Sequence, residues 1–382
     1  MEGRFNGERL KKARIYRGMT VAELAERVDC QRQTLSMYEL SKSQPAEGRI
    51  VFRLAQALNF PVSYFFQHSE EEQTGTVYFR SLLTTSKKYR IEQNVNMCYL
   101  AQIYTMLQDY ILFPKFEPLN FPDGISPEDA ANALRDAWEL GREPIHDIVT
   151  VVEDHGILVN SFSTSSDSVD AFSKLVQIEN ASTFLIAYSS NKTSAARIHF
   201  DIAHELGHIC LHTWSEDIEE LSKEEFKLRE MQANNFAAAF LLPADTFGRD
   251  ASNAFPSLPS YKKLKQKWKV SMAAMLRRSK DLGILSYNDY QNLIKTMQRR
   301  GQRKEEPLDD VLETASPSLL KMAVIMLLKE NVFTPQEFMR ELSSQYNLSI
   351  YPEDVESLLM LPTGTLSPPK IIEIPSIRLK NR

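Results

Sequence analysis

Length, composition and charge already limit the classes of protein to which this chain can belong. It has 382 residues, 43% of them hydrophobic and 25% charged, and a formal net charge of −5. This composition excludes a disordered or low-complexity chain and is sufficient for two or three folded domains. The longest strongly apolar stretch, Leu319–Leu328, contains a lysine and is far shorter than the roughly 20 residues that span a bilayer. We therefore expect no membrane-spanning segment.

Cysteine usage and the first residues predict a cytoplasmic protein. The three cysteines are Cys30, Cys98 and Cys210, and their odd number and wide spacing argue against a disulfide framework. The opening letters, MEGRFNGERLKK, carry charges where a secretory signal needs an apolar core. We expect neither export nor a membrane partner.

Two breaks in composition suggest how the chain is divided. Gln67–Gly75 is polar and acidic between apolar segments, and Met297–Asp310 has opposed charges punctuated by a glycine and a proline. Both are typical of boundaries between domains. The predicted division is a first domain over 1–68, a linker and connecting helix over 69–125, a central domain over 126–303, and a helical carboxy-terminal domain over 304–382.

The first domain consists of short predicted helices with a surplus of basic residues. It has 11 Lys and Arg against 7 Asp and Glu, whereas the remainder has 34 against 43, so this domain alone suits a polyanion. Thr20 followed by Glu23 is a capping box that begins a helix. After a turn at Asp29–Gln31, helical spacing resumes with Leu35 and Tyr38 on the buried side. The pattern predicts a helix, a short turn and a second helix.

This stretch resembles the XRE or phage-repressor-like helix-turn-helix family. The resemblance implies an all-α bundle whose second helix enters the major groove of double-stranded DNA. Val21 and Leu40 depart from the family pattern, which often has glutamine and glycine there. A bundle used only for protein contacts or dimerisation is the alternative. The matching residues are Thr20, Glu23, Leu24, Ala25, Tyr38, Glu39 and Pro45; the candidates for base edges are Arg32, Gln33 and Ser36, and the candidate for a phosphate is Lys42.

The central part mixes helical and strand patterns. Glu92–Leu112 has the apolar spacing of one long helix, and Ser126–Leu140 and Arg142–Gly156 have the signals of two more. The runs Ile157–Phe162 and Ser182–Ser189 are rich in β-prone residues. We therefore predict an α+β fold that is mostly helical, with a small sheet beside the segment that follows.

That segment, IAHELGHICLH, has the spacing of a zinc hydrolase. Residues four apart share a helix face, so His204 and His208 can converge on one cation. Glu205 lies about 100° around the axis, where it can act as a general base. Two imidazoles and one further protein ligand leave a coordination position for water. The pattern predicts one Zn²⁺ per chain, with Glu205 as the catalytic residue.

A third ligand is expected from the helical run EMQANNFAAAFLLP. Glu230 and Asn234 lie one turn apart, so Glu230 can ligate the metal and Asn234 can orient a ligand. The rival carboxylates occupy an acidic segment whose spacing does not direct them inward. Those rivals are Glu219, Glu220, Glu224 and Glu225.

The remaining histidines of interest are expected to be structural. His212 follows His208 by one turn, but the spacing does not fit the motif in which a histidine is the third ligand. We expect it to bond carbonyls at the helix end. His155 and His199 lie near element ends and are expected to be hydrogen-bonded scaffold.

The histidine segment IAHELGHICLH and the run EMQANNFAAAFLLP together resemble the ImmA/IrrE family of metallopeptidases. The resemblance extends over roughly Pro144–Arg300. The resemblance implies a zincin-like metallopeptidase domain. Many relatives have a second glutamate where this chain has Gln232, which favours Glu230 as the ligand. The further matching residues are Arg197, Phe200, Ala203, Ala233, Asn234, Phe236 and Ala237.

The expected function combines the two resemblances. It is a DNA-binding transcriptional regulator with zinc-dependent endopeptidase activity, and the family implies a protein substrate such as a repressor or an antitoxin-like partner. The alternative is a catalytically silent regulator or antitoxin whose zinc site is structural or senses metal; another kind of zinc hydrolase is less favoured. Glu205 favours the peptidase, because a structural clamp needs no general base. Residues 304–382 leave a role in dimerisation or sensing open, and with it a homodimer.

Overall fold

The structure is a computed structural model that describes residues 4–68, 87–122, 124–162, 171–178, 181–190, 194–212 and 221–367. Contacts divide the chain into two units. The first contains Met1–Ser69, Val95–Tyr110 and Lys321–Arg382, and the second contains Glu70–Asn94 and Ile111–Leu320. The domain limits predicted from composition stay a prediction. No helix within the described ranges is long and apolar enough to cross a membrane.

Helices dominate the described ranges. The strands are β1 Leu158–Phe162, β2 Ala171–Ile178 and β3 Ala181–Ser189, and a short 3-10 helix covers Val62–Phe66. The α-helices are α1 Gly7–Tyr16, α2 Val21–Arg27, α3 Arg32–Glu39, α4 Gly48–Leu58, α5 Lys87–Gln108, α6 Pro127–Ala137, α7 Ile148–Asp154, α8 Ala195–Leu211, α9 Lys223–Leu241, α10 Thr246–Ser252, α11 Leu258–Trp268, α12 Met272–Asp281, α13 Tyr287–Arg299, α14 Leu319–Lys329, α15 Pro335–Ser344 and α16 Pro352–Leu358. The predicted α+β, mostly helical fold class is confirmed.

In the first unit, α2 and α3 form the predicted helix-turn-helix. Thr20 caps α2 in a capping box with Glu23, as its spacing predicted. Glu39, at the end of α3, accepts two bonds from the Arg14 guanidinium, at 2.5 and 2.9 Å. Gly7 allows α1 to approach α3, because an added Cβ would lie only 2.0 Å from the Tyr38 carbonyl oxygen. These contacts fix the orientation of α3.

Carboxy-terminal helices complete the first unit. The side chain of Asp354, in α16, accepts bonds from both terminal nitrogens of Arg17, at 2.6 and 2.7 Å. Arg17 follows directly on α1. A bidentate pair of this kind is stronger than a neutral hydrogen bond and fixes relative orientation. The described part of the carboxy-terminal region contains α14, α15 and α16, in agreement with the helices predicted there.

The second unit contains a three-stranded sheet in the order β1-β3-β2. β1 runs parallel to β3, and β2 runs antiparallel to it. β1 and β3 coincide with the predicted β-rich runs, whereas β2 was missed. Its sequence, AFSKLVQI, interrupts the apolar residues with serine, lysine and glutamine, so it lacks the continuous run that indicated the other strands.

Candidate metal centre and candidate DNA-binding helix

The histidine segment lies on α8, and the predicted third ligand lies on α9. The two helices approach closely at Gly207, where an added Cβ would lie 3.1 Å from the Cα of Ala233. Glu205 and His208 are each only 1% exposed. Because α8 has no side chain at position 207, α9 can bring Glu230 to the face that carries His204 and His208.

His204, His208 and Glu230 meet at one point. The Nε2 atom of His208 lies 3.1 Å from Oε1 of Glu230, and that of His204 lies 3.4 Å from Oε2. The two Nε2 atoms are 3.1 Å apart. Each residue therefore offers one ligand atom within 4.8 Å of the others, and the three together could hold a metal ion.

The charges at this point also fit a cation. Burial alone would raise the pKa of Glu230, but hydrogen bonds with His204 and His208 outweigh it and hold the pKa far below its usual range. Burial would lower the pKa of His204, yet Glu230 and the neighbouring Glu205 raise it above its usual value. Two ring nitrogens facing a carboxylate need positive charge between them, from protons or from a metal ion. Such a donor set suits zinc.

Glu205 is held by a residue that the sequence did not indicate. The Ser173 hydroxyl, on β2, donates a hydrogen bond to Oε2 of Glu205. Burial raises the pKa of Glu205 to about 7, although the His204 charge and the Ser173 bond oppose this rise. A buried carboxylate with a pKa near neutrality suits a group that takes up and releases a proton. A lone serine in a missed strand gave no signal in the sequence.

His212 has partners different from those expected. Its Nδ1 lies 3.0 Å from Nδ1 of His208, and its Nε2 lies 3.0 Å from Oε1 of Gln232. It therefore bonds a side chain of the cluster and not only the helix end. Asn234 donates to the main-chain carbonyl of Glu230 at 2.7 Å, so this bond holds the α9 backbone and does not reach the carboxylate. The expected orienting role of Asn234 toward a ligand stays a prediction.

The other candidates lie away from the cluster. Glu224 and Glu225 are exposed in the first turn of α9, where Glu225 forms a capping box with the residue before the helix. Glu219 and Glu220 fall outside the described residues. His155 bonds the Val151 carbonyl at 2.7 Å, as expected of hydrogen-bonded scaffold.

The predicted DNA-contacting residues lie at the start of α3 and beyond its end. Arg32 and Gln33 are exposed in the first turn of the helix, Ser36 is partly exposed one turn later, and Lys42 is exposed after the helix ends. Leu35 and Tyr38 face the core, as predicted. The helix thus presents polar side chains on the side opposite its buried face, and the DNA contacts themselves stay a prediction.

Comparison with known proteins agrees with both the candidate metal centre and the helix-turn-helix. Residues 152–280 match the family model of the IrrE N-terminal-like domain, a peptidase family, and residues 7–71 match a helix-turn-helix domain. Residues 152–280 are therefore similar to an IrrE N-terminal-like domain and residues 7–71 to a helix-turn-helix domain, and the two resemblances read from the sequence are confirmed.

Curated relatives match a shorter stretch. The chain is 34% identical over 67 residues to an uncharacterized HTH-type transcriptional regulator of Rickettsia prowazekii, and equally to one of Rickettsia conorii. Each alignment covers 18% of this chain, and 51% and 53% of the respective relatives. The chain thus spans about half the length of the curated relatives it matches.

Proposed function

We propose that this chain is a DNA-binding transcriptional regulator with zinc-dependent endopeptidase activity. The observation that carries the proposal is the convergence of His204, His208 and Glu230, with Glu205 buried beside them on the same helix. The helix-turn-helix domain in the same chain supports the regulatory part. So does the description of both relatives as transcriptional regulators.

The proposed chemistry divides the work between holding a metal and moving a proton. His204, His208 and Glu230 would hold Zn²⁺, which supplies Lewis acidity that activates water and polarises a peptide carbonyl. Glu205 would accept the proton of the attacking water and return it to the leaving amine. Ser173 would hold the Glu205 carboxylate toward the reacting atoms. Because Glu205 is buried, its carboxylate is shielded from bulk solvent.

The proposed substrate is a protein that acts with this regulator, such as a repressor or an antitoxin-like partner. A peptidase in one chain with a DNA-binding domain is brought to promoters, where such proteins bind. We further propose one Zn²⁺ per chain and a cytoplasmic location. We also propose a homodimer, because many helix-turn-helix proteins bind two DNA half-sites as dimers. This oligomeric state stays a prediction.

The test compares wild type with Glu205→Gln, which keeps the size of the side chain but cannot accept a proton. Each is expressed beside the products of neighbouring genes, partner size is followed by gel, and a reporter is read from the bound promoter. We expect wild type alone to cleave a partner, with at least a 10²-fold loss in the variant. If partners stay intact with both, and reporter control survives Glu205→Gln but is lost in His204→Ala, the protein is a silent regulator with a structural or sensing zinc.

A further inference from the structure

A chain of side-chain hydrogen bonds leads from the candidate metal centre to α9. His208 is only 1% exposed, and both of its ring nitrogens have close neighbours. Its Nε2 faces His204 and Glu230, each at 3.1 Å. Its Nδ1 lies 3.0 Å from Nδ1 of His212, whose Nε2 lies 3.0 Å from Oε1 of Gln232. This series of hydrogen bonds therefore runs from the cluster on α8 to Gln232, two positions after Glu230 on α9.

The last residue in this series of hydrogen bonds, Gln232, determines which ring nitrogens carry protons. The Oε1 atom of Gln232 is a carbonyl oxygen, which only accepts hydrogen bonds. His212 must therefore donate from Nε2. In a neutral imidazole one nitrogen donates and the other accepts, so a neutral His212 accepts at Nδ1. It follows that Nδ1 of His208 carries the proton that forms the bond between the two rings.

This arrangement prepares His208 for a metal. With one proton fixed on Nδ1, the neutral ring has its lone pair on Nε2, the atom that faces His204 and Glu230. Without the fixed proton, the ring could instead carry its proton on Nε2 and donate it to Glu230, which would compete with a metal ion. Ligating histidines commonly donate their other N–H to a fixed acceptor, and loss of that acceptor weakens metal binding.

We propose that His212 and Gln232 are positioning residues that hold His208 in the Nδ1-protonated form required of a zinc ligand. The proposal rests on the proposed function, because it assumes that His208 binds zinc. It gives His212 a role other than the metal ligation that its spacing argued against. It also gives Gln232 a role, because its side-chain carbonyl oxygen is the terminal acceptor of these hydrogen bonds.

The experiment uses the full chain and four proteins: wild type, Gln232→Met, Gln232→Glu and His212→Phe. Methionine keeps the length of glutamine without the acceptor, glutamate keeps an acceptor, and phenylalanine keeps a ring without nitrogens. Zinc affinity is measured by competition with a chelator. We expect a 10- to 100-fold loss in Gln232→Met and His212→Phe, and rescue to at least the wild-type affinity in Gln232→Glu. Loss of less than about threefold in both disruptive variants would overturn the proposal, since the typical loss is far larger.

A second measurement needs no zinc. In zinc-free protein labelled with ¹⁵N at histidine, the ring-nitrogen signals should show Nδ1 of His208 protonated and Nδ1 of His212 unprotonated. Gln232→Met should lose this pattern. A protonated Nδ1 of His212 in wild type would overturn the proposal. If wild type binds no zinc, the proposed function fails, and the nitrogen signals still decide where the protons lie.

Discussion

At the scale of single residues, the Ser173 hydroxyl is the closest support of Glu205 in the described part of the chain. A hydrogen bond to a charged group contributes about 1.5–3 kcal/mol. We therefore expect Ser173→Ala to lower kcat for partner cleavage about 10- to 100-fold while zinc affinity stays within twofold of wild type. Steady-state cleavage and chelator competition measure the two quantities. The matched control is Ser190→Ala, because Ser190 is exposed; equal activity of Ser173→Ala and this control would contradict the assigned role.

His199 provides a prediction about acid stability. It is fully buried on α8, and its Nε2 lies 2.9 Å from the Thr314 hydroxyl. Burial, with a smaller effect of Lys269, lowers its pKa to about 4, whereas the unfolded value is about 6.5. The neutral ring is thus favoured in the folded state. Its contribution to stability is complete above pH 6.5 and is lost as the pH falls toward 4, by about 3 kcal/mol.

Urea unfolding of wild type and His199→Gln between pH 7 and pH 4 tests whether stability falls with acid as expected. Glutamine can still bond Thr314 but does not titrate in this range. The free energy of unfolding of wild type should fall more steeply with acid, and the curves of the two proteins should converge or cross. Parallel curves would show that His199 does not titrate with folding.

At the scale of elements, the close approach of α8 and α9 depends on Gly207. A Cβ at this position would lie 3.1 Å from backbone atoms of Ala233, which cannot move without shifting the helix. We expect Gly207→Ala to destabilise the chain by about 1–3 kcal/mol, as overpacking does. At Gly248, in α10, an added Cβ would meet side-chain atoms no closer than 3.8 Å. Gly248→Ala should be neutral or stabilising, and a similar free-energy change in both variants by urea unfolding would argue against a special contact at Gly207.

For α3, substitutions at Arg32 and Lys42 distinguish recognition of the DNA sequence from attraction to the phosphates. Arg32 is exposed in the first turn, where a guanidinium can bond guanine with two hydrogen bonds. Arg32→Ala should weaken binding by about 1–3 kcal/mol on a duplex selected for tight binding, with little loss on random duplex. Lys42→Ala should weaken both alike and lower the salt dependence. Fluorescence anisotropy at several salt concentrations measures both variants, and equal losses for Arg32→Ala would make it a phosphate contact.

The sequence predicted those features of the elements that depend on local spacing. The capping box at Thr20, the helical face shared by His204 and His208, and the long helical run that contains Glu230 all follow from residues a few positions apart. Ser173 and the bond between His212 and Gln232 depend on which elements pack together. The sequence around Ser173 does not indicate that β2 passes beside Glu205. The spacing of His212 argued only against its being a metal ligand.

At the scale of the whole molecule, the proposal assigns DNA binding and peptide cleavage to different residues of one chain. Glu205→Gln should abolish cleavage and leave the affinity for duplex DNA unchanged. Arg32→Ala should weaken DNA binding and leave zinc content unchanged. Anisotropy and metal analysis of the same preparations check both statements. Loss of DNA affinity in Glu205→Gln would contradict this separation.

The most direct test of the account is the zinc content of the purified chain and of Glu230→Ala, because every proposed activity of the second unit requires that α8 and α9 bind one metal together. Glu224→Ala is the matched control, since Glu224 is exposed on the same helix. We expect about one zinc per chain in wild type and in the control, and loss of most of it in Glu230→Ala, because a site with three protein ligands depends on each. A zinc-replete Glu230→Ala protein, or a wild-type chain without affinity for zinc, would contradict the account.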